Sequence, residues 1–305
     1  MKKYLLSVSL AALLATTAIG QRTPQPSPSA TVMQSIGVTD FTVKYSRPAL
    51  KGRKVFADSS ELAPYNQIWR TGANMATIFE AGTDFSFGGK KVPAGKYALF
   101  SIPSGAAWTL ILNKNFNQGG TQDYKEAEDV ARVMVVPTSA EFTESFKISI
   151  EPASDSTGYL NIAWSSVNVP VPLAVSTESL TMAGLNKAVA EKPEDVAALQ
   201  STAGYLLSKG KDLQVALSLA DKAIGLKESY SNLWLKAQIL SKLGKNAEAL
   251  PVAQKALTLG STANDVAFTS FYKGQIENGI KQIQSKVSAA PKQAVSAVKG
   301  KKKKS

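Results

Sequence analysis

The stretch IGVTDFTVKYSRP, residues 36–48, decides how the first half of the chain folds. Phe41, Val43 and Tyr45 alternate with Thr42 and Lys44, the period of two of a strand with one buried face and one wet face. Similar runs follow. Thr77–Ala81 and Phe85–Phe87 are expected as short strands, with Gly88-Gly89 as a hairpin turn. Lys96–Ile102 and Trp108–Asn113 make the next pair around Pro103-Ser104-Gly105. Val130–Val136, Phe146–Ile150, Tyr159–Trp164 and Val167–Leu173 complete the series. Short strands separated by Gly, Pro and Asn turns predict an all-β sandwich, or a barrel-like variant of it, over residues 36–175.

One segment breaks the alternation. Residues 45–77 read YSRPALKGRKVFADSSELAPYNQIWRTGANMAT, with turn chemistry at Pro48, Gly52, Pro64 and Gly72. This predicts an ordered loop laid across a sheet, a place where binding groups gather. Arg47, Arg53 and Arg70 are candidate anion ligands, because a guanidinium fork suits carboxylate, sulfate or phosphate. Tyr45 and Trp69 would add flat stacking faces, and Asn74 could donate and accept at the same surface. An acidic glycan is the expected ligand. The plainer arrangement pairs the arginines with Asp40, Glu61 and Glu80 and puts Trp69 in the core. Under it, Arg70→Ala strands a buried carboxylate.

After Leu173 the apolar period becomes helical. Ala203 and Ala237, Leu206 and Leu240, and Gly210 and Gly244 match at a separation of 34. One residue later in register, Ala216 matches Ala249, Ala220 matches Ala253, Ala223 matches Ala256 and Leu226 matches Leu259 at 33. Small residues at these places let antiparallel helices approach closely, and a period near 34 is similar to that of the tetratricopeptide repeat. Residues 176–290 are therefore expected to form an all-α helical-repeat domain, with Glu178–Ala190 as half of a preceding unit and Ile276, Ile280, Ile283 and Val287 as the stripe of a closing one. An ordinary helical bundle is the alternative. A concave face between such repeats would hold a partner protein, with Lys236 and Lys242 as candidate contacts.

The ends and the composition set the context. Residues 1–20 carry Lys2 and Lys3, an apolar run from Tyr4 to Leu14, and Ala18-Ile19-Gly20. That is the pattern of an export leader cleaved before Gln21, and the run is too short for an anchoring span. Residues 21–35 are expected as a linker, rich in Pro, Ser and Thr at 22–31, and residues 291–305 as a disordered lysine-rich tail. No later segment approaches a membrane span. The chain has 305 residues, 44% hydrophobic and 19% charged, with no cysteine and no histidine. Disulfides, thiol nucleophiles, cysteine-bound zinc and histidine-based acid–base chemistry are thereby excluded.

The net charge of +12 is uneven, because seven lysines lie between Lys286 and Lys304 with no acid among them. A nucleic-acid partner is not expected, since no aromatic is interleaved with these lysines. A solubilising tail, or weak attachment to anionic lipid or polysaccharide, is. GGKKVPAGKY, residues 88–97, has no strand–glycine–helix context and reads as a hairpin and turn. Asp123, Glu126, Glu128 and Asp129 lack the spacing of a calcium loop and read as a solvated acidic face. No cofactor is expected.

Five motifs in order carry a family resemblance: IGVTDFTVKYSRP at Ile36–Pro48, KGR at Lys51–Arg53, WRTGAN at Trp69–Asn74, GGKKVPAGKYALFSIP at Gly88–Pro103, and WTLILN at Trp108–Asn113. From about Ile36 to Leu173 the chain resembles a secreted bacterial domain of unknown function, number 2911. The resemblance implies a compact β-domain in an exported protein and brings no activity with it. The segment after Arg53 departs from the pattern, lacking an expected glycine after the aromatic. Taken together, the sequence predicts an exported envelope protein, periplasmic or at the cell surface. It would be a non-catalytic binding or scaffolding module whose partner is an envelope protein or an acidic glycan. The alternative is a carboxylate-dependent enzyme acting on envelope glycans.

Overall fold

The computed structural model describes residues 23–263 and 265–289. The expected leader and lysine-rich tail lie outside these residues. The chain divides into two compact units, one through Thr177 and one from Glu178.

The first unit is built from two antiparallel sheets. Ten strands follow in order: β1 Ser29–Ile36, β2 Thr39–Ser46, β3 Thr77–Ala81, β4 Phe85–Phe87, β5 Lys90–Val92, β6 Gly95–Ile102, β7 Trp108–Asn113, β8 Asp129–Val135, β9 Thr138–Pro152 and β10 Thr157–Val175. One sheet has the order β1-β2-β3-β6-β7-β8 and the other β5-β4-β10-β9. Phe41, Phe79, Leu99 and Trp108 of the first share one core with Phe87, Ile148, Ile162 and Trp164 of the second. On β2 the burial alternates as the sequence predicts, with Phe41, Val43 and Tyr45 inside and Lys44 outside.

β6 and β7 do not alternate. Tyr97 to Ser101 are buried without a break, as are Leu110 to Asn113. The outer face of these strands carries a second small core of Ala98, Phe100 and Ile111, covered by Ala76, Ile68 and Tyr124. A strand covered on both faces has no wet side to mark its period.

Three boundaries differ from expectation. The region read as a linker, 21–35, includes β1, which pairs with β2 from Ser29↔Ser46 to Ile36↔Thr39. Ala30, Val32 and Ile36 of this edge strand face the core, but polar Gln34 interrupts the stripe and Met33 is exposed. β9 starts at Thr138 rather than Phe146, because its exposed first half is held by pairing to β10. The two strands expected at 159–164 and 167–173 are one, β10, interrupted by register shifts around Ser165.

Among its described residues the second unit has six helices: α1 Thr177–Glu191, α2 Val196–Lys209, α3 Leu213–Leu226, α4 Tyr230–Lys242, α5 Asn246–Thr262 and α6 Lys273–Ala289, with a π-helical turn at Phe268–Tyr272 before α6. Asp195 caps α2 through bonds from the amides of Ala197 and Ala198, and Ser229 caps α4 through that of Asn232. Gly210 ends α2 in the left-handed conformation. The matched alanines Ala216 and Ala249, Ala220 and Ala253, and Ala223 and Ala256 are all fully buried. Leu226, by contrast, is 43% exposed, so the last matched pair is not a core contact.

Two glycines separate helix propensity from close packing. Nothing stands within 4 Å of where a Cβ would lie on Gly204 in α2, whereas a Cβ on Gly279 in α6 would lie 2.1 Å from the buried Trp234 ring. Gly204→Ala should therefore stabilise the helical unit by about 0.5–1 kcal/mol. Gly279→Ala, despite the same gain in propensity, should destabilise it by roughly 1–3 kcal/mol. Thermal melts of the two variants followed by far-ultraviolet dichroism check the opposite signs.

Candidate functional site

Residues 45–77 bridge the two sheets. Ala49 makes an isolated antiparallel bridge to Ser145 of β9, and Trp69 makes another to Ser101 of β6. The ladder between β3 and β6 ends at Thr77↔Leu99, so Trp69, paired with Ser101, continues the line of β3 two positions further along β6. Residues 70–76 are an excursion from that line. It closes on itself: the Thr77 amide donates to the Arg70 carbonyl at 3.3 Å, and the Thr77 hydroxyl to the Thr71 carbonyl at 2.7 Å. The Trp69 indole N–H donates to the Gly72 carbonyl at 3.0 Å. At Gly72, φ is +155° and a Cβ would stand 3.0 Å from the Thr77 hydroxyl, which explains the glycine in WRTGAN.

The structure gives each predicted residue of this segment a definite place. Tyr45 and Trp69 are 6% and 5% exposed, so neither presents a ring to a ligand. Trp69 stacks on Trp164 at 5.8 Å between centroids and meets Phe146 edge-on at 5.2 Å. The Tyr45 hydroxyl accepts from the Ile148 amide at 3.0 Å.

The three arginines serve backbone carbonyls rather than Asp40, Glu61 or Glu80. Arg47 Nε donates to the Phe146 carbonyl at 2.9 Å. Arg53 donates to the carbonyls of Leu50 and Ala49, and Arg70 Nη1 to that of Asn74 at 2.7 Å. Asn74 Nδ2 donates to the Ser46 hydroxyl. Asp40 instead accepts from the Ser35 hydroxyl, and Glu80 pairs with Lys96. Tyr45, Arg47 and Trp69 thus meet around Phe146, Arg70 and Asn74 join in the 70–76 excursion, and Arg53 secures the turn after Ala49.

A polar cluster that the sequence reading missed lies on β7 and β8. Asp129, expected on a solvated face, has a side chain only 6% exposed. It accepts from Asn113 Nδ2 at 2.9 Å, the Tyr124 hydroxyl at 2.8 Å and Arg132 Nη1 at 2.9 Å. Burial, then the Asp129 carboxylate, pushes the Tyr124 phenol up to about 12, so it remains a donor at neutral pH. Arg132 is held charged chiefly by its bond to Asp129. An arginine three residues after an acid at the start of a strand was the available signal.

In the helical unit the two predicted lysines part company. Lys236 Nζ is 2.7 Å from Asp221 and is engaged there. Lys242 lines a groove of about 600 Å³ formed by residues of α2, α4 and α6. Trp234 abuts Gly279, and Ser241 Oγ lies 3.4 Å from Lys286 Nζ. Both pairs are 45 residues apart, so α4 and α6 run parallel in this register and the groove lies along them. Leu207, Trp234 and Ile283 are its apolar lining. Among the described residues, the side-chain amides of Gln238, Gln275, Asn278 and Gln282 on its walls have no intramolecular hydrogen-bond partner.

Residues 27–173 match the model of a family described as protein of unknown function (DUF2911), so the β-rich unit is the part of the chain similar to that family. The match begins ahead of β1, taking in the residues first read as a linker. No curated protein and no solved structure matches the chain.

The hydrogen bonds rank two substitutions. Arg70→Ala removes a donor to a carbonyl and strands no carboxylate, so it should cost about 1 kcal/mol. Asp129→Ala leaves Arg132, Tyr124 and Asn113 without their shared acceptor and should cost roughly 3–5 kcal/mol. Urea unfolding monitored by tryptophan fluorescence should give that order. The reverse would mean that Arg70 faces a buried acid.

Proposed function

We propose that the chain is an exported, non-catalytic binding module of the cell envelope. Its helical unit, similar to tetratricopeptide repeats, holds an extended segment of a partner protein. The groove between α4 and α6 is the observation that carries this reading. Leu207, the half-buried member of its apolar lining, offers an apolar seat, and the unpaired amides beside it can exchange hydrogen bonds with a peptide backbone. Those amides gain nothing inside the chain by standing there. The buried alanine pairs at a spacing of 33 and the glycines after α2 and α4, both at positive φ, support the repeat reading. Export rests on the leader pattern of residues 1–20. In this scheme the β-rich unit is a rigid body, since its arginine-rich segment is consumed by its own backbone.

A photocrosslinking residue at Gln282, on the groove wall, should give a discrete adduct with one envelope protein in intact cells. The same residue at Lys281, one position along α6 and outside the groove, should not. Incubation of the protein with envelope polysaccharide should release no new reducing ends. Equal adducts from both positions, or new reducing ends, would overturn the proposal.

A further inference from the structure

The groove is electrostatically one-sided. Among the described residues, its lining includes two lysines and neither aspartate nor glutamate. Both are found in the last turns of their helices, Lys242 on α4 and Lys286 on α6. Since the two helices run parallel, both lysines lie at the same end of the groove, where Lys286 Nζ is 3.4 Å from Ser241 Oγ, whose own proton goes to Asn246 Oδ1. Lys242 has no partner among the described residues, and its side chain passes 3.8 Å from the Cβ position of Gly210. A lysine in a last helical turn also offsets the helix dipole, for a few tenths of a kcal/mol at an exposed site. That role can be filled by a lysine anywhere around the turn. It does not require that both cations converge on one groove, nor that the groove be free of acids.

We infer that the groove accepts an extended partner segment bearing an aspartate or glutamate side chain, whose carboxylate sits at the Lys242–Lys286 end while a neighbouring apolar side chain rests on Leu207. This rests on the peptide-binding reading above and adds the partner's chemistry. An internal acidic side chain is favoured over a chain terminus because the wall amides, Asn278 and Gln282 among them, continue along α6 away from the lysines. They would hydrogen-bond a main chain that runs on through the groove. A carboxylate beside two ammonium groups gains charge-assisted hydrogen bonds.

The test uses the full chain after leader removal and three arrays of acetylated decapeptides. One array has a glutamate two residues from a leucine and an amidated end. The second replaces that glutamate by glutamine. The third keeps the glutamine but has a free terminal carboxylate. The first array should bind at least about tenfold more tightly than the second and third, with affinity falling as salt rises. The double variant Lys242→Gln/Lys286→Gln should remove that advantage, whereas Lys281→Gln, an equal charge loss per site on the same helix, should leave it intact. Dichroism verifies that the variants remain helical.

Equal binding of the first two arrays would overturn the inference and leave the peptide-binding groove standing. Preference for the third array would also overturn it, in favour of a terminal carboxylate. Failure of all three arrays to bind would overturn both the inference and the reading beneath it.

Discussion

Trp69 is the contact on which the β-rich unit depends. Its ring stacks on Trp164 of one sheet and meets Trp108 of the other edge-on, while its backbone bridges Ser101. Phe56, from the same segment, packs on Trp108 at 4.6 Å between centroids. Burying two aromatics fixes both ends of a stretch that has almost no regular structure. Its backbone groups still need partners, because an unmade bond in a covered loop costs as much as a lost one in a strand. Arg53 and Arg70 meet part of that demand by donating to carbonyls within the segment, and Arg47 ties it to the Phe146 carbonyl of β9. The backbone shows the cost of the arrangement. Lys51, Phe56, Asn66, Thr71 and Asn74 all have positive φ without being glycine. At Thr71 the conformation is held by a fully buried hydroxyl 2.9 Å from that of Ser101.

The helical unit follows a simpler rule. Alanines at the interfaces let α3 and α5 lie close to their neighbours, and the shared spacing sets equivalent helices side by side. α4 and α6 also run parallel, at an offset of 45 residues, and the groove lies along them. Tyr230 helps fix the approach to α6. Its hydroxyl donates to Asp265 at 2.5 Å, which pushes the phenol up to about 12 and holds the Asp265 carboxyl below its ordinary value.

Much of this was legible in the chain itself. Alternation around Phe41, Val43 and Tyr45 marked the half-buried strands, and the alanine matches marked the helical pairs. β1 was hidden because Gln34 interrupts the short inward stripe of Ala30, Val32 and Ile36 and the rest of the strand is polar or exposed. The roles of the arginines were hidden for another reason. A guanidinium that serves a carbonyl looks the same in sequence as one that awaits an anion, and carbonyls leave no letter of their own. The groove was least visible. Gln238 and Gln282 lie 44 residues apart on helices of ordinary composition, and only the parallel register brings them to one surface. Of the two lysines picked out by charge alone, Lys242 lines the groove and Lys236 is held by Asp221.

The claim that most needs testing is that residues 45–77 are part of the sandwich rather than a surface laid upon it. Native-state hydrogen exchange addresses it directly. The amides of Leu50, Phe56, Trp69 and Thr77 donate to Glu144, Ala63, Ser101 and Arg70 carbonyls, respectively. They should exchange with the slow class formed by β6 and β7, opening only when the whole unit unfolds. Exchange of these four amides orders of magnitude faster than that of Leu99 and Leu110 would show that the segment opens on its own, and would contradict its place in the core.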